Sequence, residues 1–126
     1  MIILIKDQVL LMHRWIYDYY GGSRGIKDDG LLDSALKAPF QTYDGQELYP
    51  TVVGKIVRLG YGLITNHPFV DGNKRIGALA LLTLLELNGY RIEATDQELT
   101  DIIIGVASGQ RSEDDLNSWV INRISM

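Results

Sequence analysis

The segment His67-Pro68-Phe69-Val70-Asp71-Gly72-Asn73-Lys74-Arg75 gathers one of the chain's two histidines, a carboxylate, an amide and an adjacent lysine and arginine. A histidine side chain is largely neutral near pH 7 and can accept a proton from an attacking hydroxyl, so His67 reads as a general base. Arg75 can grip phosphate oxygens with a planar fork, Lys74 adds a point charge, and Asn73 can donate without adding charge. Asp71 repels phosphate, yet it can hold a Mg²⁺ that bridges phosphate oxygens, because this hard cation takes carboxylate oxygens and keeps several waters. A nucleotide accounts for both signs of charge. The chemistry expected is attack of a target hydroxyl, deprotonated by His67, on a nucleotide phosphorus, with Mg²⁺ and Arg75 stabilising developing charge.

The position of these residues strengthens the reading. Pro68 disfavours continuation of a helix past His67, and Gly72 frees the backbone to turn, so the segment is expected to be a tight loop ending at a helix N-terminus. The first N–H groups of a helix lack internal acceptors and the dipole is positive there, which suits Gly72, Asn73 and Lys74 to a phosphate. Plainer roles compete. Asp71 alternatively caps the helix, and Lys74 with Arg75 alternatively forms a solvated first turn, although two cations there oppose the dipole unless an anion is present. His13 has no comparable neighbours and reads as structural, while Trp15 and Trp119 read as core packing.

Six helices are expected around this loop. Val9, Met12, Ile16 and Tyr19 mark the buried face of a first helix, Asp7 to Tyr20, stopped by Gly21-Gly22. Asp29 is expected to cap a second helix through Leu32 and Leu36, ended by Pro39. Phe40 to Tyr49 alternates aromatic and polar residues around Asp44-Gly45 and reads as an exposed hairpin flap, whose tyrosines either bind a partner or cover the core. Pro50 opens a third helix to about Asn66, with Lys55 and Arg58 pointing away from its wide apolar face. The run Ile76 to Leu85 carries no charge and is apolar all round, which predicts a fourth helix at the centre, stopped at Gly89. Thr95-Asp96-Gln97-Glu98 reads as the capping box of a fifth helix closed by Gly109. Ser112 with Asp115 starts a sixth, with Leu116, Trp119, Val120, Ile121 and Ile124 inward. The expected class is all-α, a bundle with one small β-hairpin.

With 126 residues and 46% hydrophobic content the chain can bury one core, and a single domain over 1–126 is expected. The absence of cysteine removes disulfides and thiolate metal sites, and suits a reducing cytoplasm. Lys6 and Asp7 interrupt the apolar start before any targeting or membrane segment is complete. The net charge of −4, with basic residues scattered, argues against direct nucleic-acid binding.

The loop resembles the signature of the Fic/Doc family, His-x-Phe-x-(Asp/Glu/Asn)-(Gly/Ala)-Asn-(Gly/Lys)-Arg, at His67, Phe69, Asp71, Gly72, Asn73, Lys74 and Arg75. Tyr20-Gly21-Gly22, Asp29-Gly30-Leu31-Leu32, Glu47-Leu48-Tyr49-Pro50 and Leu87-Asn88-Gly89-Tyr90 extend the likeness, toward the death-on-curing (Doc) branch. The resemblance implies a Fic-fold helical bundle, with His67 as base, Phe69 as core anchor, Asp71 as Mg²⁺ ligand and Asn73-Lys74-Arg75 as phosphate binder. Most Fic enzymes have glycine where Lys74 stands and transfer AMP; the Doc branch has lysine and is associated with transfer of the ATP γ-phosphate to elongation factor Tu. The resemblance therefore implies a toxin kinase using ATP, held in check by a separate antitoxin that supplies an inhibitory helix. An AMP transferase and a non-catalytic Fic-fold binding protein are the alternatives.

Overall fold

Four of the six helices begin at a side-chain oxygen that takes up one of their free N–H groups, which is why they start where they do. In the computed structural model, which describes residues 1–126, Asp28 accepts from Leu31 N at the start of α2 (Asp29–Lys37), and Thr51 from Gly54 N at the start of α3 (Val52–Asn66). Thr95 opens α5 (Asp96–Ala107) and Ser112 opens α6 (Glu113–Ile121), each within a reciprocal capping box. The first helix, α1 (Lys6–Tyr20), starts with Gln8 Oε1 accepting from Ile5 N at 2.9 Å. Only α4 (Asn73–Leu87) begins at a glycine with no side-chain cap.

The all-α expectation holds: six helices enclose a core of 22 buried residues, with α3 and α4 packed along each other at its centre. Their approach is close because Gly60 and Gly77 face each other; a methyl group at Gly77 would collide with Ile64 and come within 3.0 Å of Gly60 O. α1 and α5 flank α4, while α2 and α6 lie against α3. Lys6 bridges α1 to α2 through Asp29 at 2.8 Å and Asp33 at 2.9 Å, and Arg58 joins α3 to α6 through Glu113 at 2.7 Å. No helix is long and apolar enough to cross a membrane.

The flap is a two-residue hairpin, β1 (Thr42–Tyr43) with antiparallel β2 (Gln46–Glu47), turning at Asp44-Gly45 where both φ values are positive. A second small sheet, β3 (Arg91–Ile92) with β4 (Ile124–Ser125), joins the end of α4 to the end of the chain.

Several local expectations change. Asp28, not Asp29, caps α2, and beyond Lys37 the chain continues as a 3₁₀ turn, Ala38–Phe40, that contains Pro39. Thr51, not Pro50, is the residue from which α3 springs. Lys55 does not point outward: it is buried, donates to Tyr49 O, and pairs with Glu47 at 3.0 Å, so its ammonium ties the base of the flap to α3. Tyr19 and Trp15 are not core residues, since the buried face of α1 is Val9, His13 and Ile16, and the two aromatic rings stack on each other outside it. Ile121 is exposed and Ile124 belongs to β4, because α6 stops at Ile121 and pairing with β3 takes over the chain.

Candidate functional site

The nine-residue segment spans the connection between the two central helices and the first turn of α4, and is fastened at two places. At its start, His67 ends α3 with φ 51 and ψ 54, in the left-handed region that a residue with a Cβ rarely adopts. Pro68 closes the right-handed alternative, and the imidazole is left exposed. Phe69, 1% exposed, plugs into the core. Its backbone is clamped by the Asn73 carboxamide, whose Oδ1 accepts from Phe69 N and whose Nδ2 donates to Phe69 O, both at 3.0 Å. The connection between α1 and α2 supplies the second fastening: Lys27 N and Asp28 N donate to Pro68 O at 2.8 and 3.0 Å, and Val70 N donates to Gly25 O at 3.1 Å.

Gly72 then starts α4 with φ 79, a conformation open to glycine at no steric cost. The helix's own bonding begins with Ile76 N donating to Gly72 O at 2.9 Å, so the N–H groups of Asn73, Lys74 and Arg75 have no acceptor within the helix. Asp71 does not serve them. Its Oδ1 accepts from Gly72 N at 2.8 Å and its Oδ2 from Ser23 N at 3.3 Å. Gly22 lies so close that an added Cβ would stand 2.5 Å from Asp71 Oδ2. The carboxylate is thus parked beside the helix start, on the side of the α1–α2 connection.

His67, Asp71, Gly72, Asn73 and Lys74 all line one open cleft of about 400 Å³, closed on its far side by Ile104 and Ala107 of α5 and by Ser108 just after it. The structure therefore brings together five of the six site residues expected from sequence. Arg75 borders a neighbouring groove of about 370 Å³ that shares Asp71 and Lys74 with the first, and its guanidinium lies 4.3 Å from the ring centre of Tyr20. Of the six, Asn73 differs most from expectation: its amide is engaged with the loop's own backbone, so what it offers the cleft is its main-chain N–H.

No three His, Asp or Glu side chains converge as a metal cage. Asp71 alone fits a Mg²⁺ that arrives with phosphate oxygens and water as its other ligands, and does not fit a cation held by protein alone.

A family model described as the Fic/DOC family matches residues 3–85, from the segment before α1 to near the end of α4, with the entire loop inside the match. The chain belongs to the Fic/DOC family. It is also similar to the Toxin Doc of Mycolicibacterium smegmatis (strain ATCC 700084 / mc(2)155), with 40% identity over 75 residues, which is 60% of this chain and 58% of that protein. The alignment thus spans less than two thirds of the relative. α5, which closes the cleft of this Fic/DOC protein, lies beyond the residues the family model matches.

Sequence reasoning missed the residues that support the loop from elsewhere in the Fic/DOC fold. His13 stacks on Phe69, ring centres 3.8 Å apart and planes within 7°, and its Nε2 lies 2.7 Å from Asp71 O. A usable signal was present: His13 falls between Val9 and Ile16 at helical spacing, and a polar ring on a buried stripe needs a partner. Tyr20 and Gly22 stood out only as part of the likeness in Tyr20-Gly21-Gly22, and Ser23 not at all, because their relation to Asp71 and Arg75 exists only once α1 packs beside α4.

Proposed function

We propose that this chain is the toxin of a toxin–antitoxin pair and acts as a Doc-type protein kinase, moving the γ-phosphate of ATP to a hydroxyl of a protein target. The observation that carries the reading is the start of α4: an uncapped N-terminus whose first turn holds Lys74, in the same cleft as His67, and Arg75, in the groove beside it. Two cations at the positive end of a helix are unfavourable by themselves and become favourable once an anion binds there. In this reading the 126 residues work as a single Fic/Doc domain.

The target hydroxyl gives its proton to a ring nitrogen of His67 while its oxygen bonds to the γ-phosphorus. The bond from that phosphorus to the β,γ-bridging oxygen breaks, and ADP leaves. Lys74, Arg75 and the free N–H groups of α4 hold the phosphates and meet the charge that develops. Asp71 would hold Mg²⁺, which when bound neutralises phosphate charge. Asn73 keeps the loop in shape through Phe69.

Elongation factor Tu is the proposed target, with arrest of translation in the cytoplasm as the consequence, on the strength of the likeness to the Doc branch. A separate antitoxin is proposed to restrain the toxin with a helix laid beside the loop. Lys74, which fills space beside the helix start where a glycine would leave it open, favours the kinase over an AMP transferase. ATP labelled at the α or the γ position separates the two: γ label on the target supports the kinase, and α label without γ label overturns it. If His67→Ala leaves toxicity intact, the protein acts by binding alone and neither transferase reading survives.

A further inference from the structure

We infer that His13, on α1 and outside the signature loop, is a positioning residue that sets which face of the Asp71–Gly72 peptide bond the cleft sees. The inference rests on the reading of the cleft as a phosphate site and adds a device that orients it.

A carbonyl oxygen can only accept, so the 2.7 Å contact between His13 Nε2 and Asp71 O requires a proton on Nε2. His13 is 6% exposed and does not line the cleft; it faces a separate hollow bordered by Leu10, Tyr17 and Ile26. It therefore draws the Asp71 carbonyl inward, away from the cleft. The chain contains no cis peptide, so C=O and N–H of one unit point in opposite directions. Gly72 N–H is accordingly turned outward, where it meets Asp71 Oδ1 at 2.8 Å. Asp71 Oδ1 occupies this N–H, so what the arrangement does for the cleft is keep the Asp71 carbonyl oxygen out of it. Rotation of this peptide unit would instead aim a carbonyl oxygen at the phosphates.

Rotation is a real alternative at this bond, because Gly72, with φ 79, is the residue best able to absorb it. Two further contacts hold His13 in register. Its ring lies flat on Phe69, which is itself buried and clamped by Asn73. Gly72 lies alongside the same ring: a Cβ added there would be in ordinary van der Waals contact, 3.4 Å from His13 Nε2 and 3.6 Å from Ile16 Cγ2. α1 thus grips the loop at Phe69, Asp71 and Gly72 together.

The test pairs His13→Phe, which keeps a flat ring on Phe69 but removes the donor, with His13→Gln, which restores a donor without the ring. Ring ¹⁵N shifts in the wild-type chain should report the Nε2–H form of His13. In His13→Phe the Asp71 carbonyl ¹³C and Gly72 amide signals should move, ATP–Mg²⁺ affinity should fall roughly 10- to 100-fold, and His13→Gln should recover a good part of it. An Nδ1–H ring in the wild type, or a His13→Phe variant with unchanged Gly72 amide and ATP affinity, overturns the proposal. The wild-type tautomer decides even if His13→Phe fails to fold. Movement of the Asp71 and Gly72 signals in a chain that binds no ATP supports the positioning role and sinks the nucleotide reading instead.

Discussion

Three helices of this protein begin in opposite ways. α5 and α6 start as isolated-helix chemistry favours, with Thr95 and Ser112 as caps and with Asp96, Glu98, Glu113, Asp114 and Asp115 in their first turns. α4 starts with Gly72, no side-chain cap, and Lys74 and Arg75 in the first turn. The first two starts are complete within the chain. The third is left without a side-chain cap, and on the proposed reading a ligand completes it. Its one nearby carboxylate, Asp71, is drawn aside by Ser23 and Gly72 rather than spent on the first-turn N–H groups. If the proposed phosphate site is real, the contrast separates a helix end that serves stability from one that gives stability up for binding.

The comparison is broken most severely at the residue proposed to use the open helix end. His67→Ala should lower target modification by roughly 100- to 10,000-fold, the range associated with loss of a general base. Thermal unfolding should be little changed, because the side chain is exposed and alanine removes no core contact. Loss of activity together with a collapsed melting curve would instead make His67 a structural cap of α3.

Reversing the charge at the open end sharpens it next. Lys74→Glu gives α4 an acidic first turn like those of α5 and α6, and should stabilise the free protein by about 0.3–1 kcal/mol while weakening catalysis roughly 100-fold. Melting temperature and turnover, measured on the same sample, should move in opposite directions. A variant that loses both has lost something other than a frustrated cation.

This opposition was legible in the sequence, since caps and first-turn charges are local. Thr95, Ser112 and the Asp44-Gly45 turn depend on neighbours within four residues, and each lies where the pattern places it. What was not legible depends on distant partners. Lys55 turns inward because Tyr49 O and Glu47 receive its ammonium, and Ile124 leaves the helix because β3 stands ready to pair with it. Trp15 is exposed because α1 spends its narrow buried face on Val9, His13 and Ile16. The candidate site divides likewise: the residues expected from sequence form one run, whereas His13, Ser23 and Ile104 reach it from three other elements.

Removing a cap from the conventional side should touch stability alone. Thr95→Ala leaves the first N–H groups of α5 without the Oγ1 that now accepts from Glu98 N at 3.1 Å, at a cost of about 1 kcal/mol. The melting temperature should drop by about 4 °C while specific activity at 25 °C stays level. A fall in activity as large as that of Lys74→Glu would mean that the start of α5 also serves the cleft.

The smallest effect is the acid response of the same two caps. Glu98 is held below its ordinary value of 4.5 first by the Thr95 backbone N–H and then by Arg123, and Asp115 below 3.8 chiefly by the Ser112 backbone N–H. A carboxyl whose folded pKa is depressed binds more protons unfolded than folded, so stability rises with pH through that window. The contribution is complete above the unfolded values and is lost as pH falls through the folded ones. Both groups are exposed, so solvent screens the effect and it should be small. Melting curves from pH 6 to pH 3 should therefore fall less steeply for Glu98→Gln than for the wild type. Equal slopes would mean that the α5 cap adds nothing through its charge. Its difference from α4 would then rest on hydrogen bonds alone, and the cations at the open end would be the only part of the contrast that electrostatics explains.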